Sequence, residues 1–491
     1  MRQGKKKGNR GNWRWPEKGT KLDLGNISSP YTAQRPPMCY PGTPLPESVR
    51  EIAAGLLIKH INAIGSHTHG RDGEGGFESV QAIEARAIRM IASVLGIDSP
   101  DQVDGYFCGG GTEANIEGLW IGREYLRKCQ DPVGRGTVVF ATPLVHYSIA
   151  KAVEMLDIGH HQWGQCVRCG KSHIFMPGVM GRGLNLVGLS SKGDANGISG
   201  GMTNGEMSIT SLKKMFWRKY DEGFRRFLIV ATVGTCVMGS IDPIRGIGDF
   251  IREMEKTTGA HFYLHVDASF AGFTVPFVAP EYETAFQVPE VMSIAVDGDK
   301  MGRLPYPGGV FLCRKGLMSF VARKVNYVRG NEDDTISGSR SCLAPVLALH
   351  QFTNGGIEEQ REYVRRCLKM RDKFIDLVSK KNFSWVRILA SSPWVNFAPM
   401  IIDIEDGGIP AYLLENHSAA EGREPEDEME GFLEDYHLRS DSVPNDPEDP
   451  NSCCSSVFKF CIMPHHTEDH LARFVADLER AFNYWKERNV E

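Results

Sequence analysis

Ser293-Ile294-Ala295-Val296-Asp297-Gly298-Asp299-Lys300-Met301-Gly302 is an apolar run that stops abruptly at acids, glycines and one lysine. Residues 291–296 read as a short buried strand, and the break places Lys300 just past its carboxyl end. The same grammar recurs upstream. Residues 262–266 are a β-rich run that ends in Asp267, and residues 227–231 are another that ends in Thr232-Val233-Gly234-Thr235. Residues 137–141 form a fourth run, followed by His146 and a helical stretch near 147–156. A Gly-rich turn with a helix occupies 109–129, and apolar residues from Phe77 to Val94 recur at helical spacing. Strands alternating with helices at these lengths imply an α/β domain with a largely parallel sheet. The run near Val310 is expected to close that sheet.

In an open α/β sheet, ligands bind outside the carboxyl ends of the strands, which is where the polar residues above collect. Gly109-Gly110-Gly111-Thr112 before a helix lets backbone N–H groups approach an anion, though a tight packed turn would read the same. His146 alone is more often a satisfied hydrogen-bonder than a catalyst. Asp267 follows a fully apolar strand, and Lys300 comes 33 residues later. A desolvated lysine can form a Schiff base with an aldehyde cofactor, and an aspartate beside a pyridinium nitrogen keeps that cofactor an electron sink. Phosphate turn, stacking His, Asp and Lys in this order are the parts of a pyridoxal-phosphate site.

Those segments, together with Gly110–Ile116, His265-Val266-Asp267-Ala268 and Ile462-Met463-Pro464-His465, resemble the group II pyridoxal-phosphate-dependent amino-acid decarboxylases. They look most like the L-tyrosine/L-aspartate decarboxylases, and Val325-Asn326-Tyr327 with Thr335–Arg340 also looks like the histidine and serine decarboxylases. The resemblance implies the type I fold of pyridoxal-phosphate enzymes, a large α/β domain followed by a small C-terminal α+β domain. It implies Lys300 as the Schiff-base lysine, Asp267 as the pyridinium partner and His146 as the residue stacked on the ring. Gly111 and Thr112 would hold the phosphate, with Thr235 nearby. Tyr327 falls at a loop tyrosine that donates the Cα proton across a dimer interface, and Arg340 is placed for the substrate carboxylate, a buried ion pair being its alternative. Two positions depart from the family. Asp299 stands where His is usual, and Ser269 stands where alanine is usual, on the ring face opposite His146.

The 491 residues are 41% apolar and 24% charged, near the globular average, with a net charge of −5. That balance offers no general field for nucleic acid, which is not expected as a partner, and no run reaches a bilayer span. Twelve cysteines without a signal-like N-terminus point to the reducing cytoplasm. Residues 1–75 read as a basic tail and a proline-rich arm that needs a surface to cover, 76–325 as the cofactor domain and 326–491 as the small domain. Residues 417–456 interrupt the small domain as a solvated acidic insertion; residues 421–450 hold twelve acidic against two basic side chains. Cys166, Cys169 and His173 have zinc-like spacing but lack a second Cys pair, so reduced loop thiols are expected and no metal is assigned.

The expected activity is L-amino-acid α-decarboxylation of tyrosine or aspartate in a homodimer with shared sites. His67 and His69, in a cationic segment before the first helix, are candidates for the substrate side chain. The alternatives are a histidine- or serine-type decarboxylase, an aldehyde-forming variant of the same fold, and a catalytically silent binding protein.

Overall fold

The computed structural model describes residues 36–59, 61–65, 68, 77–158, 184–190, 203–326, 332–402, 436, 438, 440–449 and 454–489. His67, His69, Tyr327, the Cys166–His173 cluster, the basic tail and much of the acidic insertion lie outside them. The helices are α1 Glu47–Leu57, α2 Glu78–Val94, α3 Gly111–Lys128, α4 Tyr147–Met155, α5 Ile209–Asp221, α6 Ile244–Thr258, α7 Val275–Val278, α8 Leu343–Asn354, α9 Gly356–Lys381 and α10 Glu468–Asn489. The strands of the large sheet are β1 Val103–Cys108, β2 Thr137–Ala141, β3 Leu184–Leu186, β4 Arg226–Thr232, β5 His261–Asp267, β6 Val291–Asp297 and β7 Gly309–Arg314. A short hairpin follows, β8 Arg323–Lys324 with β9 Glu332–Asp333, and then β10 Val386–Ile388, β11 Phe397–Ile402, β12 Ser440–Pro444 and β13 Cys454–Cys461.

The large sheet has the order β1-β7-β6-β5-β4-β2-β3, and β7 alone runs against its neighbours. The expected closing strand therefore lies one place inside the sheet, with β1 as the edge. Its strands are apolar on both faces because helices cover both. Phe227, Ile229, Phe262, Leu264 and Ile294 pack with Phe216 of α5 and Phe250 of α6. The alternate residues Leu228, Val230, Tyr263 and Ala295 pack with Leu119 and Ile121 of α3 and Ile149 of α4. Each buried Val, Leu, Ile or Phe among them stabilises the fold by about 1.5–3 kcal/mol relative to exposure.

Register then decides where the chemistry sits. Asp267 pairs with Thr232 and with Ala295, Asp297 pairs with Gly309, and Cys108 pairs with Gly309 on the other side. The ends of β1, β4, β5 and β6 thus share one edge of the sheet.

The small domain is an antiparallel sheet of order β10-β11-β13-β12, backed by Phe374 and Val378 of α9 and Phe474 of α10. Thr467 caps α10 by accepting the His470 N–H at 3.2 Å. Three expectations change here. Residues 440–444, read from composition as solvated insertion, are a strand hydrogen-bonded along β13. The proline-rich arm lies on its own chain's small domain, where Met38 accepts the Cys461 N–H at 2.7 Å and Pro37 meets His466. The expected border at 325 also moves. Leu347 and Ala348 of α8 join the large core beside Ile88 and Ile91 of α2, and α9 enters both cores, through Val364 and Cys367 in one and Phe374 and Val378 in the other.

Candidate active site

Lys300 lies in the turn after β6 and is about one-quarter exposed, with its Nζ 3.0 Å from Asp297 Oδ2. Burial by itself would lower the lysine's pKa, but the charges of Asp297, Asp267 and Asp299 outweigh it and raise it above its ordinary value. Two clefts meet at this lysine, and His146 and Ser269 line both. One, of about 470 Å³, continues past Asp267 to Tyr147, Phe397, Asp441 and Lys459. The other, of about 530 Å³, continues over Gly109–Glu113 to Asp297, Asp299 and Tyr306.

Asp267 is 3% exposed at the end of β5 and is held by three donors. The Ser269 hydroxyl and N–H reach Oδ1 at 2.6 and 3.1 Å, and the Asn115 amide reaches Oδ2 at 3.1 Å. Asn115 also donates to Ser148 Oγ at 2.9 Å, and Ser148 Oγ lies 2.8 Å from His146 Nδ1. On its other side, Asn115 Oδ1 lies 2.9 Å from Nε2 of the fully buried His265, whose Nδ1 meets Ser293 Oγ at 2.8 Å. Burial pushes both histidines down to about 4, against a raising contribution from Asp267. A Cβ on Gly118 would lie 2.3 Å from the His265 ring, so α3 can bring Asn115 this close to β5 only with glycine there.

The first turn of α3 faces the second cleft with unsatisfied backbone N–H groups and the positive end of an 18-residue helix. Gly111 is required by space: a Cβ there would lie 2.5 Å from Ser269 Oγ and 2.8 Å from Asp297 Oδ2. Glu113 turns back and takes the Gly109 N–H at 2.8 Å. Asp299, 8% exposed, lines the same cleft. Burial first, and the nearby Asp297 charge second, raise its pKa to about 6. Its carboxyl therefore stays mostly charged at neutral pH and sheds that charge only as pH falls through about 6.

Residues 201–397 match the sequence profile described as the pyridoxal-dependent decarboxylase conserved domain. The tryptophan decarboxylase of Clostridium sporogenes is 28% identical over 341 residues, 68% of this chain and 72% of that protein. A probable L-tyrosine/L-aspartate decarboxylase of Methanocella arvoryzae is 25% identical over 409 residues, 82% of this chain and 84% of its own. The chain is similar to the pyridoxal-dependent decarboxylases, and its activity is that of a pyridoxal-phosphate-dependent carboxy-lyase. The fold agrees: the L-methionine decarboxylase of Streptomyces superposes with a TM-score of 0.69 at 18% identity, covering 91% of each chain. Pyridoxal 5'-phosphate is the decarboxylase's cofactor, and the residues present fit it. A reachable lysine, a buried carboxylate and a glycine-lined helix N-terminus surround two joined clefts large enough for cofactor and substrate.

Within this decarboxylase, the structure gathers Lys300, Asp267, His146, Ser269, Asp299, Gly111 and Thr112 at one sheet edge. Two expected contacts go elsewhere. Thr235 is fully buried, and its hydroxyl is 2.7 Å from Ser240 Oγ, so it pins the turn after β4 and does not face the clefts. Arg340 takes its alternative role: its guanidinium pairs with the buried Glu84 at 3.2 Å, donates to Gly65 O at 2.7 Å and stacks on Tyr106. A guanidinium already neutralised by a buried partner is a poor receptor for a substrate carboxylate. Asn115, Ser148, His265, Asp297, Asp441 and Lys459 received no role from the sequence. Asp297 could have been found, since it ends β6 three residues before the lysine. Lys459 and Asp441 could not, because they arrive from β13 and β12 of the other domain.

Proposed function

We propose that the chain is an L-amino-acid α-decarboxylase whose substrate is L-tyrosine or L-aspartate. The observation that carries this reading is Lys300 at a strand end, beside a buried, triply hydrogen-bonded Asp267 at the end of the adjacent strand. When bound, the cofactor supplies the electron sink for carbon dioxide loss. Lys300 would hold its aldehyde carbon, Asp267 its ring nitrogen, His146 one face, and the α3 N-terminus with Gly111 and Thr112 its phosphate. Asp297 keeps the Lys300 ammonium at the cleft whenever that amine is free. With Arg340 engaged by Glu84, the cation offered to a substrate carboxylate is Lys459, which lines the Lys300 cleft and is only loosely paired with Asp441 at 3.9 Å. Burial alone would lower Lys459, but the surrounding Cys236 and Asp441 outweigh it and raise its pKa, so it is an ammonium at neutral pH. Tyr40, Tyr147 and Phe397 give the same cleft aromatic walls suited to a tyrosine ring. Tyr327 as proton donor and a homodimer with shared sites, both from the family resemblance, and a cytoplasmic location, from the cysteine usage, complete the proposal.

Two measurements test it. Borohydride reduction of the cofactor-loaded protein should leave the pyridoxyl group on Lys300 in peptide maps, and a label on another lysine would remove the assignment. Incubation with each of the twenty amino acids should release carbon dioxide and amine from tyrosine or aspartate. Turnover of tryptophan or histidine alone would keep the class and overturn the substrate, and aldehyde as main product would overturn the reaction.

A further inference from the structure

The hydrogen bonds around Asn115 have only one consistent set of directions. Its amide has one acceptor oxygen and two N–H donors, and three of its neighbours compete for them: Asp267 Oδ2, Ser148 Oγ and His265 Nε2. Turning the amide over would aim its oxygen at the Asp267 carboxylate, so the two N–H groups belong to Asp267 and Ser148. The oxygen then accepts from His265, whose proton is on Nε2 and whose Nδ1 accepts from Ser293.

The chain continues in the other direction. Ser148 Oγ already accepts from Asn115, so its own proton is free to go to His146 Nδ1 at 2.8 Å. The Ser148 backbone N–H, at the first turn of α4, also points at that nitrogen at 3.3 Å. Two donors converge on Nδ1, and a nitrogen that accepts twice carries no proton. Asn115 is 1% exposed and Ser148 fully buried, so water does not offer a competing arrangement.

We propose that Asn115 and Ser148 are positioning residues that hold His146 as the neutral tautomer with its proton on Nε2, tying the ring to the carboxylate of Asp267. Nε2–H is then the ring's one polar group left for the clefts that His146 lines, with no hydrogen-bond partner among the described residues. His146 gives a hydrogen bond to a substrate or cofactor oxygen and takes no proton from the substrate. The charged groups that act on the ring are Asp267 on β5, Lys300 after β6, Lys459 on β13 and Lys151 on its own helix. The three lysines all oppose a second proton, and the carboxylate alone favours it.

The consequence for catalysis rests on the cofactor site proposed above, but the tautomer does not, and it is measured without cofactor. Long-range proton–nitrogen correlation spectra of histidine-labelled apoprotein at pH 7, with His146 assigned by its loss in His146→Gln, should show an unprotonated Nδ1 and a protonated Nε2. A protonated Nδ1, or a doubly protonated ring, in the unaltered protein overturns the proposal without any variant having to fold. Ser148→Ala should move the His146 Nδ1 signal towards the protonated range. Asn115→Leu should do the same from a residue that never touches the ring. Loss of stability with an unmoved His146 signal in both variants would reduce the pair to packing and also overturn it. Borohydride labelling of Lys300, run in parallel, reports separately on the cofactor reading.

Discussion

The two clefts that meet at Lys300 are built in opposite ways. The one over Gly109–Glu113 is built without the small-domain sheet: chiefly a helix N-terminus and the turn after β6, with Glu113, Asp297, Asp299 and Lys300 as its charges. The one that runs to Lys459 is assembled from the arm, the α4 entry, the ends of β4 and β5, and three small-domain strands. A fixed cofactor needs an invariant cradle that one domain can supply. A substrate needs a wall that can change without disturbing that cradle, and the second domain supplies it.

If this division holds, a substitution on one side should leave the other side's measurement alone. Lys459→Met keeps the buried stem and removes the ammonium. It should raise KM for the amino acid by about 10–100-fold, the range for a hydrogen bond to a charged group, with cofactor affinity unchanged in equilibrium dialysis. Equal loss on both measurements would erase the distinction between the clefts.

Asp299→Asn tests the other side. Because burial and Asp297 raise its pKa to about 6, Asp299 gains charge as pH climbs through 6, and the ionised form opposes a phosphate dianion. Cofactor affinity of the unaltered protein should therefore fall above pH 6. Asn should flatten that dependence and tighten binding about 5-fold at pH 7.5, from roughly 1 kcal/mol of repulsion. An unchanged pH dependence would place Asp299 outside the phosphate's field.

The smallest effect belongs to Tyr306, whose hydrogen bond lowers Asp299 against those raising influences. Tyr306→Phe should move the midpoint of the same affinity curve upward by a few tenths of a pH unit, with KM unaffected. A downward shift would contradict the assigned hydrogen bond.

The contrast between the clefts also explains what the sequence could reveal. Lys300, Asp267 and His146 each follow a short apolar run, so their place at strand ends was legible from local pattern. Edge strand β1 was not: Asp104 and Gly105 interrupt its apolar run, and the buried Asp104 is tolerated because the Thr68 hydroxyl donates to it at 3.1 Å and Lys315 Nζ and the Gly316 N–H reach it from beyond β7, each at 2.7 Å. Strand β12 was hidden by acidic composition, since its pairing partner, not its own residues, makes it a strand. Arg340 shows the limit of motif reading, for its fate was decided by Glu84, 256 positions away in sequence. Asn115 stood in a motif quoted from the start, yet its role depends on three partners, two of which come from β5 and one from α4.

Helix α9 is 26 residues long, about 39 Å, and it is rooted at one end among the large-domain helices and at the other against the small sheet. Such a strut transmits rather than absorbs displacement. A rotation of the small sheet moves Lys459 relative to Lys300, and it must be met by sliding at Val364 and Cys367, because the helix between has no proline at which to bend. The spacing between the substrate wall and the reacting lysine is thus set mechanically by the packing of a helix that lines neither cleft.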